Sequence, residues 1–172
     1  MSGDGTVVWL TGRPAAGKTT LAAALVERLR GRGVEVRWLD SDALRRELTP
    51  EPTYSPEERD AFYRRLAELA VDAAREGAVA VISATAHRRR WRDEAREAAP
   101  RFIEVWVRAD DEVLRARDPK GLYARAAEGA VEGLPGVDVA FEAPAAAEVE
   151  IATDQESVTS AVSRILALLL AE

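Results

Sequence analysis

Val7-Val8-Trp9-Leu10 is apolar throughout, rich in β-formers, and stops at Thr11-Gly12, which predicts a buried strand running into a glycine turn. Leu21, Leu25 and Leu29 recur at helical spacing and predict a helix over 19–30, stopped by Gly31 and Gly33. Residues 34–39 alternate as a second strand and lead into the acidic loop Asp40-Ser41-Asp42, after which Pro50 and Pro52 break a short helix. Ser55-Pro56-Glu57-Glu58 has the form of a capping box with proline at the first helical position. The helix it opens runs to about Glu76 with Phe62, Leu66, Leu69 and Ala73 as its stripe, and Gly77 ends it. Strands are expected over 78–83, 102–108 and 148–152, and helices over 88–99, 110–117 and 157–170.

Strands alternating with helices predict an α/β fold with a parallel sheet of about five strands flanked by helices. Residues 118–147 break the pattern, dissolving into Gly, Pro, Ala and charge. An irregular stretch of that length in a compact domain is usually functional, so a lid over about 118–147 of a single domain, 1–172, is expected.

The 172 residues are 47% hydrophobic and 31% charged, enough apolar material for a real core. No apolar run approaches a membrane span, and the acidic N-terminus resembles no secretory leader, so a cytoplasmic protein is expected. Zero cysteines and one histidine remove thiol chemistry and histidine metal clusters. A net charge of −6 argues against nucleic acid as a partner. Only two of the 24 basic residues are lysine, Lys18 and Lys120, and asparagine is absent. Arginine and lysine are not interchangeable, so both retained ammonium groups are candidates for function.

Gly12-Arg13-Pro14-Ala15-Ala16-Gly17-Lys18-Thr19 is a complete G-x-x-x-x-G-K-T P-loop, with the strand before it and helix after it that a P-loop NTPase requires. Gly12, Ala15, Ala16, Gly17, Lys18, Thr19 and Thr20 are therefore the expected nucleotide-binding residues, with ATP as the nucleotide. Lys18 would reach the terminal phosphates and the Thr19 hydroxyl would ligate Mg²⁺. A chain without asparagine cannot carry the Asn-Lys-x-Asp guanine motif, so a small-molecule kinase with a lid fits better than a Ras-type switch. Asp40 and Asp42, just past the second strand, are candidates to organise Mg²⁺ through water and to take a proton from an acceptor hydroxyl. Asp42 could also cap a helix starting at Ala43.

These segments resemble the adenylylsulfate (APS) kinases, which phosphorylate the 3′-hydroxyl of APS to give PAPS. Val8-Trp9-Leu10-Thr11-Gly12 is similar to the family's approach to its P-loop. Leu39-Asp40-Ser41-Asp42-Ala43-Leu44-Arg45 and Tyr54-Ser55-Pro56-Glu57-Glu58-Arg59 resemble its acceptor segments. Arg117-Asp118-Pro119-Lys120-Gly121-Leu122-Tyr123 is near-identical to its lid signature, and Gly136-Val137-Asp138 with Phe141-Glu142-Ala143-Pro144 continues the match. The resemblance implies that Asp42 contacts the acceptor hydroxyl and that Arg45 and Arg59 grip the phosphosulfate. It also implies that Tyr54 stacks on the acceptor adenine, that Lys120 and Leu122 close over the substrate, and that Arg117 packs on the ATP adenine. A homodimer is an expectation from the resemblance alone.

The departures fall on the acceptor side. Ala43 and Phe62 stand where the family has asparagine, Thr85-Ala86-His87 where it has Ile-Ser-Pro, and Leu134-Pro135 where it has Phe-Thr. Phe62 is counted among the substrate residues, although it also lies on the apolar stripe of its helix. His87 reads as a surface or capping residue, with contact to an acceptor phosphate as the alternative, and Arg88-Arg89-Arg90 with Arg92 reads as a solvated helix start that could still supply one phosphate contact. Two alternatives to APS phosphorylation therefore stay open: a related kinase for another small-molecule or nucleotide hydroxyl, and a non-catalytic nucleotide-binding regulator.

Overall fold

The computed structural model describes residues 5–171. Strands β1 (Thr6–Thr11), β2 (Val36–Asp40), β3 (Val79–Ser83), β4 (Phe102–Arg108) and β5 (Val149–Ala152) form one parallel sheet in the order β2-β3-β1-β4-β5. The helices are α1 (Lys18–Arg30), α2 (Ser41–Leu48), α3 (Pro56–Arg75), α4 (Arg89–Ala98), α5 (Asp111–Arg117), α6 (Leu122–Ala127) and α7 (Val158–Leu169). β1 lies at the centre and is buried along its whole length, because a parallel strand covered by helices on both sides needs no polar face.

Alternation along β1 divides the core. Val8 and Leu10 point into a cluster with Leu21, Leu25 and Leu29 of α1 and with Ile165 and Leu169 of α7. Val7 and Trp9 point the other way, against Phe62, Tyr63 and Leu66 of α3 and Trp91 of α4. With helices on both faces, the polar side chains gather past the carboxyl ends of β1, β2 and β3, where an open α/β sheet places its ligands.

The expected strands and helices all form, with ends shifted by a residue or two. The 118–147 segment is less irregular than its composition suggests, since α6 forms inside it. The Asp118 carboxylate accepts from the amides of Tyr123 and Ala124 at 3.1 and 3.0 Å, and Gly121 takes the left-handed conformation at φ 65°.

Three other expectations need correction. α2 starts at Ser41, not Ala43, and its cap is Asp40, whose carboxylate accepts from Ala43 N at 3.3 Å. His87 is not on the surface: it is 3% exposed and packs edge-on against Trp91, with centroids 4.9 Å apart. The arginine run is a solvated start only in part: Arg89 and Arg90 are exposed, but Arg92 is fully buried 3.4 Å from the buried Glu104 of β4. Its guanidinium also donates to Glu142 O, while Arg89 holds Ala143 O at 2.9 Å. The arginines thus fasten the end of the 118–147 segment to α4.

Candidate active site

The P-loop is closed by backbone that a side chain would obstruct. A Cβ on Gly12 would sit 2.1 Å from Val107 O, and Gly17 caps α1 at φ 107°. Ala15 also lies in the left-handed region, at φ 68°. Strain of this kind survives where the surroundings fix it, and among the described residues the other two such non-glycine residues, Tyr54 and Ala86, lie on the loops before α3 and α4. No acidic residue or side-chain cap occupies the first turn of α1, which leaves the amide end of the helix facing the cavity.

That cavity has a volume of about 520 Å³. Ala15, Gly17, Lys18, Thr19 and Thr20 form its floor, Asp40 and Asp42 one wall, and Arg117, Lys120 and Leu122 another. Gly12 and Ala16 are buried and do not line it. Lys18 Nζ donates to Gly12 O and Arg13 O at 2.8 and 2.9 Å, curled back on the loop it belongs to. Burial, and then the neighbouring Lys120, pull its pKa down to about 7, against the opposing pull of Asp42 and Asp40. Lys120 itself forms an ion pair with Asp42.

Arg117 donates to Thr153 Oγ1 at 2.8 Å and, more weakly, to Ala15 O and Ala16 O. Thr153 in turn donates to Ala16 O at 2.6 Å. Thr153 and Val158 line the cavity beside Arg117, and Ser83 and Thr85 line it beside Asp40. Thr85 was noted in the sequence only as a departure from the family, and Ser83 and Thr153 not at all, although Ser83 ends a strand and the other two follow one closely, a position that could have flagged them; Val158 opens α7 and carries no such signal.

The expected acceptor residues gather separately. Asp42 and Arg45 lie three apart on α2 and so share a face. The Arg45 guanidinium lies 4.0 Å from the Phe62 centroid and 5.2 Å from that of Tyr54, and Arg59 is 5.8 Å from the same tyrosine. Arg45 Nη1 is buried without a hydrogen-bond partner, which an anion at this site would satisfy. Phe62 is buried on the α3 stripe, as its spacing predicts, and its ring also lies beneath the Arg45 guanidinium.

The 118–147 segment is stitched across these groups. Tyr123 Oη donates to Pro14 O at 2.8 Å, Arg13 to Gly136 O at 3.2 Å, and Arg59 to Gly133 O at 2.8 Å. Leu134 is buried with Tyr123 in the core on the α1 side. Burial lowers the His87 pKa to about 4, helped by Arg59, Arg88 and Arg45 and resisted by Glu142, so the imidazole is neutral.

Among the described residues, no helix is long and apolar enough to cross a membrane. Residues 4–152 match the family model described as adenylylsulphate kinase. A probable adenylyl-sulfate kinase of Archaeoglobus fulgidus is 42% identical over 149 residues, covering 87% of this chain and 96% of that protein. The adenylyl-sulfate kinase of Paraburkholderia xenovorans is 42% identical over 167 residues, covering 96% and 93%. The Mycobacterium tuberculosis APS kinase CysC, in complex with AMPPNP and APS, superposes with a TM-score of 0.91 at 28% identity over 98% of this chain and 99% of that one. The P-loop kinase fold, its strand-end acids and these matches agree: the chain belongs to the adenylylsulphate kinase family.

Proposed function

We propose that this chain, as a single kinase domain over 1–172 with 118–147 as its lid, transfers the γ-phosphoryl group of ATP to the 3′-hydroxyl of adenylylsulfate, giving PAPS. The observation that carries this reading is the meeting of P-loop Lys18 with Asp42 and Lys120 across one cavity, with Arg45 three residues past Asp42 on α2 and its Nη1 buried without a hydrogen-bond partner.

In this reading the P-loop amides and Lys18 hold the polyphosphate, while Arg117 packs on the ATP adenine. Thr19 and Asp40 suit Mg²⁺, because that ion keeps several waters and takes one or two protein oxygens alongside substrate phosphates. When bound, the ion would neutralise charge developing on the transferred group. Asp42 takes the proton of the attacking hydroxyl, and the Asp42–Lys120 pair opens to admit it. Arg45 and Arg59 grip the phosphosulfate as charge-assisted donors, Phe62 supports Arg45 from below, and Tyr54 stacks on the acceptor adenine. Leu122 and the lid exclude water.

A coupled ADP-release assay with APS tests the proposal: turnover must exceed the ATPase background. A second reading, the same chemistry on another hydroxyl acceptor, is favoured by Leu134, which is buried in the core rather than presented to the acceptor. Phosphorylation of other nucleotide or metabolite hydroxyls, with none on APS, would establish that reading instead.

A further inference from the structure

Trp38, Asp40 and Ser83 lie on one face of the sheet. Trp38 and Asp40 are two apart on β2, and Asp40 is paired in register with Ser83 on β3. Trp38 Nε1 donates to Ser83 Oγ at 3.0 Å, and Ser83 Oγ donates to Asp40 Oδ1 at 2.9 Å. The other carboxylate oxygen, Oδ2, accepts from Ala43 N at 3.3 Å. The direction of this chain is fixed chemically. An indole nitrogen only donates, so Ser83 must accept from Trp38, and its single hydrogen is left for Asp40.

We infer that Trp38 and Ser83 are positioning residues that hold Asp40, and through its cap the start of α2, in the orientation the phosphoryl transfer uses. Ser83 fixes one carboxylate oxygen and the helix amide fixes the other, so the remaining lone pairs of Asp40 have one orientation at the cavity wall. The same cap sets the first turn of α2, which carries Asp42, so one serine hydroxyl orders both acids. Ser83 is 2% exposed, so no solvent competes for its hydrogen. The inference rests on the proposed role of Asp40 at the nucleotide.

The test is a double-mutant cycle in the full chain. Ser83→Ala removes a hydrogen bond to a charged group, so it is expected to lower kcat about tenfold or more and to raise the Kd for Mg²⁺-nucleotide. Trp38→Phe keeps the ring but lets the serine hydroxyl rotate, and about a threefold fall is expected. The double variant should be no worse than Ser83→Ala, because without the hydroxyl the indole has nothing to orient. Ser83→Thr, which keeps the hydroxyl, should recover most of the activity. Additive losses, or a Ser83→Thr variant as poor as Ser83→Ala at equal melting temperature, would overturn the inference. The same cycle is read in the calorimetric Kd for AMPPNP with Mg²⁺, which needs no acceptor. If the unmodified chain leaves APS untouched, the functional proposal falls while this readout still decides the relay. Wild-type nucleotide affinity in both single variants sinks it.

Discussion

Lys120 and Asp42 form an ion pair that joins the start of the 118–147 segment to the first turn of α2. Their side chains are 56% and 50% exposed, so the pair itself contributes at most about 1 kcal/mol. A contact that weak suits a latch that an incoming hydroxyl and its anionic neighbour displace.

Lys120→Ala is expected to raise the acceptor KM about tenfold while the KM for ATP stays within about twofold, because one charge-assisted contact to the acceptor is lost. Equal loss on both substrates would move Lys120 to the nucleotide side. Steady-state kinetics with each substrate varied in turn separates the two outcomes.

Asp42→Ala should cut kcat by about a hundredfold or more, the range for loss of a general base. The melting temperature should barely move, since the carboxylate is exposed and caps no helix. Unchanged turnover would mean that the proton leaves by another route.

For Lys18 the prediction concerns protons. Its pKa of about 7 lies below the ordinary value of 10.5, so above pH 7 the free protein holds a neutral amine. A polyphosphate favours the charged form, so at pH 8 nucleotide binding should take up about one proton. Affinity should then weaken as pH rises from 7, until the raised pKa of the complex is reached. Titration calorimetry in buffers of different ionisation enthalpy measures this directly. Zero uptake, or uptake that persists in Lys18→Ala, contradicts it. The same variant should lose phosphoryl transfer with its fold intact.

Residues whose conformation is set locally were legible in the sequence. The P-loop declares itself because its glycines answer to a left-handed turn and to a carbonyl 2.1 Å from where a Cβ would be. Asp118 and Gly121 are local too, although the helix they start is only six residues long and hides in a low-contrast stretch. Around Asp40 the boundary differs by one step: the strand runs through it and the helix begins at Ser41, so the first acid caps the helix and the second is left to pair with Lys120. His87 and Arg92 were unreadable because their burial comes from distant partners. Glu142 N donates to His87 O at 2.8 Å, while Arg92 meets Glu104 on β4 and Glu142 O in the 118–147 segment. A run of four arginines within five residues looks solvated until the chain returns to cover one of them.

His87 should imprint itself on acid stability. Its folded pKa of about 4 lies below the ordinary 6.5, so the unfolded chain gains a proton first as pH falls. The stability it contributes is complete above pH 6.5 and is lost as pH drops toward 4, by about 2 kcal/mol between pH 7 and 5. Arg59, Arg88 and Arg45 hold the pKa down and Glu142 opposes them. Urea unfolding of His87→Phe, which keeps an aromatic ring on Trp91, should show a pH-dependent loss smaller by that amount. An equal loss in both proteins would assign acid sensitivity to other groups.

The buried Arg92–Glu104 pair gives the sharpest stability prediction. The two groups are 3.4 Å apart, but Arg92 Nη1 and Glu104 Oε2 lack hydrogen-bond geometry, and burial raises the Glu104 pKa more than Arg92 and Arg96 lower it. Such a pair stabilises little beyond the cost of desolvating it, yet removing one member strands the other. Glu104→Leu alone should therefore destabilise by about 3–5 kcal/mol, as should Arg92→Met, which also drops the hold on Glu142 O. The double replacement, apolar on both sides, should recover much of that loss in urea titrations. A double variant as unstable as the sum of the singles would show that the two side chains contribute independently and that no stranded charge causes the single-variant losses.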